Sequence, residues 1–554
     1  MSLPSALTIT ESDPSGGAGI QADLKTFTAL NCYGTSVITA LTAQNTNGMH
    51  GVHACPSGFV KDQLVSVLDD TGALVIKTGT LCSEATIRVV ASTLRNYFRE
   101  KTLRLVCDPV GVSTPGRAPL EDGALGSLID EIMPLATLIT PNKSEAELIL
   151  SHKGKNIKIS SLADMIPASK ELLTLGSEAV LLKGGHVTTT ITEVYELLGK
   201  NPTISVNKYG LLDENMNILG KDDQTSELVV DVLQDSSGSD GGVQTSLFVG
   251  PRVKSAHTHG VGCTLSAAIV CGLADRLTIA DAVRGGTMYT YLGILHALPV
   301  GTGHSPLNHT HSLVSRFVPR PFPGDSYPLT RVLISSTANM WKEYVEHKFV
   351  KEVGKGQLDK KCFVHSIKQG YHYLKYYGRA YALMAAKSTS FTTMTAATQS
   401  VGDVLNFIST NHKELCIRWG VSEKELQETP ESAATTAYGA YIMDIGFQGD
   451  TVKLTMALAP CLLGYGEAGL WLIEESKRPD SWVVMDETLN PYVSWIKEFS
   501  GETYQKEVKA GLTTIEGFGS TTPVTKERFE ELVEVWKRCV VMEKGFWDMI
   551  ISLS

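Results

Sequence analysis

ALTITESDPSGGAGIQADLKTF, residues 6–27, decides how the first half of the chain folds. It opens on an aliphatic, β-branched run, Ala6-Leu7-Thr8-Ile9, with no polar alternation, as in a strand covered on both faces. DPSGG then breaks the chain, and a Gly-rich turn leads into a helix carrying Asp23. The same grammar recurs at Ser36–Thr39, Leu74–Lys77, Leu105–Cys107, Leu138–Thr140 and Ala179–Leu182. Each run is followed within a few residues by Gly, Asp, Asn or Gln, in TAQN, KTG, DPV, TPN and KGGH. Polar groups at the carboxyl ends of parallel strands are where an open α/β sheet builds its site. The expectation is a mostly parallel sheet with helices on both faces.

The chain is too long for one core, at 554 residues, so two or more domains are expected. A net charge of −10, with no dense Lys/Arg run, argues against a nucleic-acid partner. No apolar stretch of about 18 residues runs free of charge, and the N-terminus lacks a signal-peptide pattern, so neither a membrane partner nor secretion is expected. Ten scattered cysteines without a C-x-x-C pair read as reduced thiols of a cytoplasmic protein.

Three boundaries follow from composition. Residues 1–317 form the α/β domain, interrupted at about 199–246 by a polar Gly/Ser/Asp-rich insertion that reads as a mobile flap or disordered loop. Residues 318–333, around VPRPFPGDSYP, read as a Pro-rich linker. From 334 to 554 apolar residues recur at three and four, as in WKEYVEHKFVKEV, so this half is expected to be an all-α bundle.

Five motifs on the strand ends carry chemistry. DPSGGAGIQADLKT holds a Gly-rich turn and Asp23. Asp108 in CDPV, with Asn142 and Glu145 in TPNKSE, offers the hard oxygens that Mg²⁺ uses beside phosphates. The Asn142/Glu145 pair equally fits a helix capping box. Lys183-Gly184-Gly185-His186 offers a cation and bare backbone. HTHGVGCTLSAAIV, residues 257–270, puts Gly260, Val261 and Gly262 before Cys263 at a helix start, an anion hole with a candidate base at its mouth. Together these supply what phosphoryl transfer needs.

These motifs, with ITALTAQNT and the closing GHSPLNH, resemble the ribokinase-like hydroxymethylpyrimidine (HMP) kinase/HMP-phosphate kinase family across residues 5–312. The resemblance implies phosphorylation of HMP and of its monophosphate, using ATP and Mg²⁺, in thiamine biosynthesis. It implies Asp23 and Gln44 on the pyrimidine side, and Asp108 and Glu145 at the metal. Asn142 and Lys183 would meet nucleotide phosphate, and Cys263 would be the base. The chain departs from the family at Glu11, Thr80, Gly111 and Val261. A related vitamer such as pyridoxine, or ligand binding without catalysis, remains the alternative.

In the helical half, LAPCLLGYGEA groups Cys461, Tyr465 and Glu467, and Tyr373, Tyr438 and Tyr441 add hydroxyls. A cysteine nucleophile with a carboxylate proton donor and an aromatic cage suits attack on a flat heteroaromatic ring. This half resembles the TenA-type thiaminase II family from about 335 to 552. The resemblance implies Cys461 as nucleophile, Glu543 as acid/base, and Tyr373, Tyr438, Tyr465 and Phe546 lining the pocket. Thiamine or its degradation products would be the substrate, and a homo-oligomer is implied. Gly370 stands where the family carries a pyrimidine-gripping aspartate, and Phe499 where it carries a tyrosine.

Overall fold

The computed structural model describes residues 3–100, 103–109, 123–210, 213–220, 227–237, 242–313, 321, 326–521 and 525–554. The chain divides into two compact units, Met1–Asp213 with Lys221–Ser315, and Glu214–Gly220 with Arg316–Ser554. Gly111 and residues 318–320 and 322–325 of the Pro-rich run fall outside the described residues.

The first unit is built on a ten-stranded mixed sheet. Its strands are β1 (Ser5–Ser12), β2 (Tyr33–Asn45), β3 (Gly48–Ala54), β4 (Val75–Thr78), β5 (Arg104–Cys107), β6 (Leu138–Ile139), β7 (Ala179–Leu182), β8 (Ser205–Lys208), β9 (Leu228–Asp235) and β10 (Gln244–Pro251). They lie in the order β3-β2-β1-β4-β5-β6-β7-β9-β10-β8. β2 through β7 in that order pair in parallel, as the uninterrupted apolar runs require. Side chains alternate across the sheet, so one strand feeds two cores. Leu7, Ile76, Leu105, Ile139 and Val180 enter one; Ala6, Val75, Val106, Leu138 and Ala179 enter the other. Polar strand ends therefore converge at one edge, held by a core in which each buried aliphatic side chain contributes roughly 1.5–3 kcal/mol.

The expected flap at 199–246 is corrected by the structure. Part of it is sheet: β8, β9 and the start of β10 fall there, with β9 antiparallel to both β7 and β10. Its LVVDVLQD core is a buried strand flanked by polar sequence, and that sequence dominates the composition of a long window. The linker reading is corrected as well. A helix spans Pro328–Ser336, starting inside 318–333 and running past it, and begins on a proline whose missing N–H costs nothing there. The buried Glu516 carboxylate accepts from the backbone of Leu329 (3.1 Å) and Thr330 (2.8 Å), serving as this helix's cap.

The second unit's described secondary structure is helical. Its long members are Lys360–Lys387, Ala433–Gln448, Thr451–Ser476, Glu502–Thr521 and Lys526–Ser552. Thr451–Ser476 is long and apolar enough by composition to cross a membrane, although Lys453 and Glu467 interrupt it. Of its most apolar window, 67% is buried inside the unit, the pattern of a bundle's central helix.

Candidate functional site

At the end of β1, Asp13 organises the Gly-rich turn. Its carboxylate accepts from Ser15 N (2.8 Å), Gly17 N (3.1 Å) and Ala18 N (2.8 Å). His259 Nε2 donates to the same carboxylate at 2.9 Å and stands 3.5 Å from the Gln44 amide. Burial opposes ionisation of Asp13, but His259 and Ser15 outweigh it and hold the pKa down at about 2. The turn thus ties directly to the HTHGVGC stretch. Gly260 has φ +78°, and a Cβ there would lie 1.8 Å from the Gly17 carbonyl oxygen. Only glycine allows this approach.

Gly260 also starts the helix Val261–Ala274, which has no side-chain cap at its N-terminus. A Cβ on Gly262 would stand 3.4 Å from Lys183 Nζ and 3.6 Å from Asp108 Oδ2. Lys183, just beyond β7, pairs with Asp108 Oδ1 at 2.8 Å and Glu145 Oε2 at 4.0 Å. Burial works against its charge, but Asp108 and Glu145 overcome this and raise its pKa. Asp108 is further fixed by Thr140 Oγ1 (3.1 Å) and Ser266 Oγ (3.3 Å). A fixed cation and helix N–H groups therefore face one point, beside Cys263. Such a point attracts a phosphoryl group.

Asn142 and Glu145 do form the capping box, at 2.7 and 2.9 Å, while Glu145 also faces Lys183. Cys263 is buried against Ala18 and Ala22. Asp231 on β9 escaped the sequence reading; it accepts from Gly184 N at 2.7 Å and fixes the turn after Lys183. Its pKa rises to about 6 because burial outweighs that bond and Lys183.

Asp23 is the correction in this unit. Its carboxylate does not reach out toward a substrate. It takes two contacts from Lys77 Nζ, at 2.6 and 2.7 Å, and one from Thr8 Oγ1 at 2.6 Å, all fully buried. Despite burial, Asp23 holds the Lys77 ammonium up at about 12. Among the departures, Glu11 is held back by Thr10 Oγ1 (2.6 Å), which in turn accepts from Thr80 N (3.0 Å).

In the helical unit, Glu543 sits 2% exposed and accepts from Tyr438 Oη (2.7 Å) and Tyr344 Oη (3.2 Å). Cys461 hydrogen-bonds to it as well. Burial lifts Glu543 to about 7 against the pull of these bonds, and lifts the Cys461 thiol well above its ordinary range. Tyr373 packs on Tyr438 (5.0 Å between centroids) and Phe546 (6.1 Å). Tyr465 packs on Trp547 (5.0 Å) and Phe499 (4.9 Å). The structure thus brings Cys461, Glu543, Tyr373, Tyr438, Tyr465 and Phe546 into one neighbourhood. It adds Tyr344, Tyr377 and Tyr504, whose hydroxyls all lie within electrostatic reach of Cys461. Glu467 is corrected as a proton donor to the ring. Its carboxylate accepts from Asn217 N (2.9 Å), Asn217 Nδ2 (2.8 Å) and Ile218 N (2.8 Å).

Residues 13–308 match the family model of phosphomethylpyrimidine kinase. The chain belongs to the phosphomethylpyrimidine kinase family. Behind this kinase region, residues 334–552 match the TENA/THI-4/PQQC family. A Schizosaccharomyces pombe relative is 34% identical over 549 residues, covering 99% of this chain and 91% of its own. The Saccharomyces cerevisiae hydroxymethylpyrimidine/phosphomethylpyrimidine kinase THI20 is 28% identical, covering 99% of this chain and 96% of its own. Among solved structures, Bacillus subtilis pyridoxal kinase in an ADP complex is 28% identical. It covers 56% of this chain and 98% of its own, with a TM-score of 0.43. Within the kinase unit, Gly260, Val261, Gly262, Cys263, Asp108, Glu145 and Lys183 gather at one sheet edge, and Gln44 stands by His259.

Proposed function

We propose that the kinase unit phosphorylates HMP and then its monophosphate from ATP, supplying the pyrimidine of thiamine. The name of the yeast relative supports the substrate. The observation that carries the reading is the convergence of Lys183 and the open helix N-terminus on Gly262, next to Cys263. Cys263 takes the proton from the hydroxymethyl oxygen as that oxygen attacks the γ-phosphorus and ADP leaves. Backbone N–H groups of 260–263 and the Lys183 ammonium hold the transferring group.

Asp108 and Glu145 fit Mg²⁺ as hard oxygens already gathered on one cation, Lys183. No set of three His, Cys, Asp or Glu side chains forms a metal cage among the described residues. Mg²⁺ bound through one or two carboxylates, water and nucleotide phosphates needs no such cage. When bound it neutralises charge on the phosphates. The test incubates the full chain with ATP, Mg²⁺ and HMP and follows products by mass spectrometry. Mono- and then diphosphate are expected, and are lost with EDTA; no phosphorylated pyrimidine overturns the reading.

The helical unit supports hydrolysis of thiamine or its degradation products through Cys461 and Glu543. Addition of the Cys461 thiol across a ring C=N needs one proton shared by the pair: sulfur bonds carbon, and Glu543 carries the thiol proton to nitrogen. A proton on both groups blocks this. Activity should therefore rise with pH through about 7, the Glu543 value, and a kcat/KM profile checks it. Flat activity from pH 5 to 8 would remove Glu543 from proton transfer.

Gly370 carries a second prediction. A Cβ there meets only His412 Cε1, at 3.8 Å, so a side chain can start from this position without a clash. Gly370→Asp is expected to tighten aminopyrimidine binding by about 1.5–3 kcal/mol, roughly ten- to hundredfold. Calorimetry with aminopyrimidine on both proteins measures it.

A further inference from the structure

Seven residues, Glu214–Gly220, lie in sequence between β8 and β9 of the kinase unit, yet they belong to the helical unit. They are not a casual surface loop. Asn215, Met216, Ile218 and Leu219 are all buried. The segment contains a short 3-10 turn, Asn217–Leu219, whose first N–H groups donate to the carboxyl oxygens of Glu467. Those groups, with the Asn217 amide, are what satisfy the buried carboxylate of Glu467. An ionised carboxylate accepting several N–H bonds in a dry interior is a strong, directional anchor.

The anchor bears on the Cys461 chemistry along two routes. Glu467 lies six residues after Cys461 on the helix Thr451–Ser476, so the segment fixes that helix about 9 Å from the thiol. On its other side, Asn215 O accepts from Trp341 Nε1 at 2.8 Å. Trp341 and Tyr344 share the helix Ala338–Val345, their rings in edge contact at 5.9 Å. Tyr344 Oη donates to Glu543, and a Cβ on Gly464 would lie 2.0 Å from the Tyr344 ring. Trp341 also stacks on Trp536 (5.6 Å), which belongs to the Glu543 helix Lys526–Ser552. One short peptide thus grips the helices that carry Cys461 and Tyr344, and through Trp341 bears on the one that carries Glu543.

We propose that residues 214–220 are a positioning element of the helical unit, setting the spacing of Cys461, Tyr344 and Glu543 through Glu467 and Trp341. The chemistry at Cys461 then depends on a peptide encoded inside the kinase half. For its catalytic consequence this rests on the helical unit's hydrolytic reading, so the test includes a readout that needs no turnover.

In the full-length protein, residues 214–220 are replaced by an equal length of Gly/Ser, and separately Glu467→Gln and Asn217→Ala are made. Alkylation of Cys461 by iodoacetamide is followed peptide by peptide, beside hydrolysis of an aminopyrimidine across pH and ATP-dependent phosphorylation. With the segment gone, Cys461 alkylation should quicken at least tenfold. The Glu543 limb should move to lower pH as water enters, and phosphorylation should stay within twofold. Glu467→Gln should give part of this and Asn217→Ala less, because the backbone donors remain. A synthetic peptide spanning 213–221, added to the replaced protein, should slow alkylation again. Unchanged alkylation in the replaced protein overturns the proposal. Loss of folding in the replacement shifts the decision to Asn217→Ala and Glu467→Gln, where unchanged alkylation and pH profile also overturn it. If no variant or parent hydrolyses an aminopyrimidine, the hydrolytic reading fails and alkylation still decides the positioning role.

Discussion

Cys263→Ser is expected to lower turnover of ATP-dependent HMP phosphorylation by about 10²–10⁴-fold, with nucleotide affinity changed only a few-fold. The two side chains are nearly isosteric, so what is lost is the acidity of the thiol. Cys263 lies at the N-terminal end of its helix, within electrostatic reach of both the Lys77 and Lys183 ammonium groups. Those cations and the helix N–H groups favour the thiolate, the form that can accept a proton. A serine hydroxyl stays protonated in the same field. In the proposed reading, nucleotide binding rests on Lys183, Asp108 and backbone donors, and the substitution leaves the Lys183–Asp108 pair in place. Steady-state kinetics with HMP, beside calorimetry with a non-hydrolysable ATP analogue, separates the two quantities. Turnover equal to the parent would take Cys263 out of the reaction.

The second large effect concerns stability. Asp23→Ala is expected to destabilise the kinase unit by about 3–5 kcal/mol, because it leaves the Lys77 ammonium buried without its counter-charge. Both side chains are 0% exposed and joined by contacts of 2.6 and 2.7 Å. Replacing both partners with apolar residues, Asp23→Leu with Lys77→Met, should cost much less than Asp23→Ala alone. Urea unfolding of each variant provides the comparison. If Asp23→Ala raised the KM for HMP and left the unfolding midpoint unchanged, Asp23 would face substrate after all.

Most of the sheet was legible because a strand covered on both faces needs an unbroken apolar run, and β1 and β4 to β7 all have one. β9 was hidden by its polar neighbours. Single residues at the site were legible where one local motif held them together, as in GVGC or the Asn142/Glu145 box. Asp23 was misread because its partner lies 54 residues away. Only the parallel register of β1 with β4, which sets Thr8 opposite Lys77, brings both onto the Asp23 carboxylate. Glu467 was misread for a similar reason, since its donors come from 250 residues upstream. Helical spacing correctly put it near Cys461, but could not say which side it faced.

The Gly17–Gly260 contact has an evolutionary consequence. The two positions are far apart in the chain, yet each loop constrains the other, since a Cβ on Gly260 would sit 1.8 Å from the Gly17 carbonyl oxygen and one on Gly17 would sit 2.4 Å from the His259 ring. Neither loop can drift alone. A library that randomises the DPSGG turn to change vitamer preference, while keeping HTHGVGC fixed, will return mostly inactive clones. Paired randomisation of both loops is the route by which this scaffold can be moved toward a new substrate.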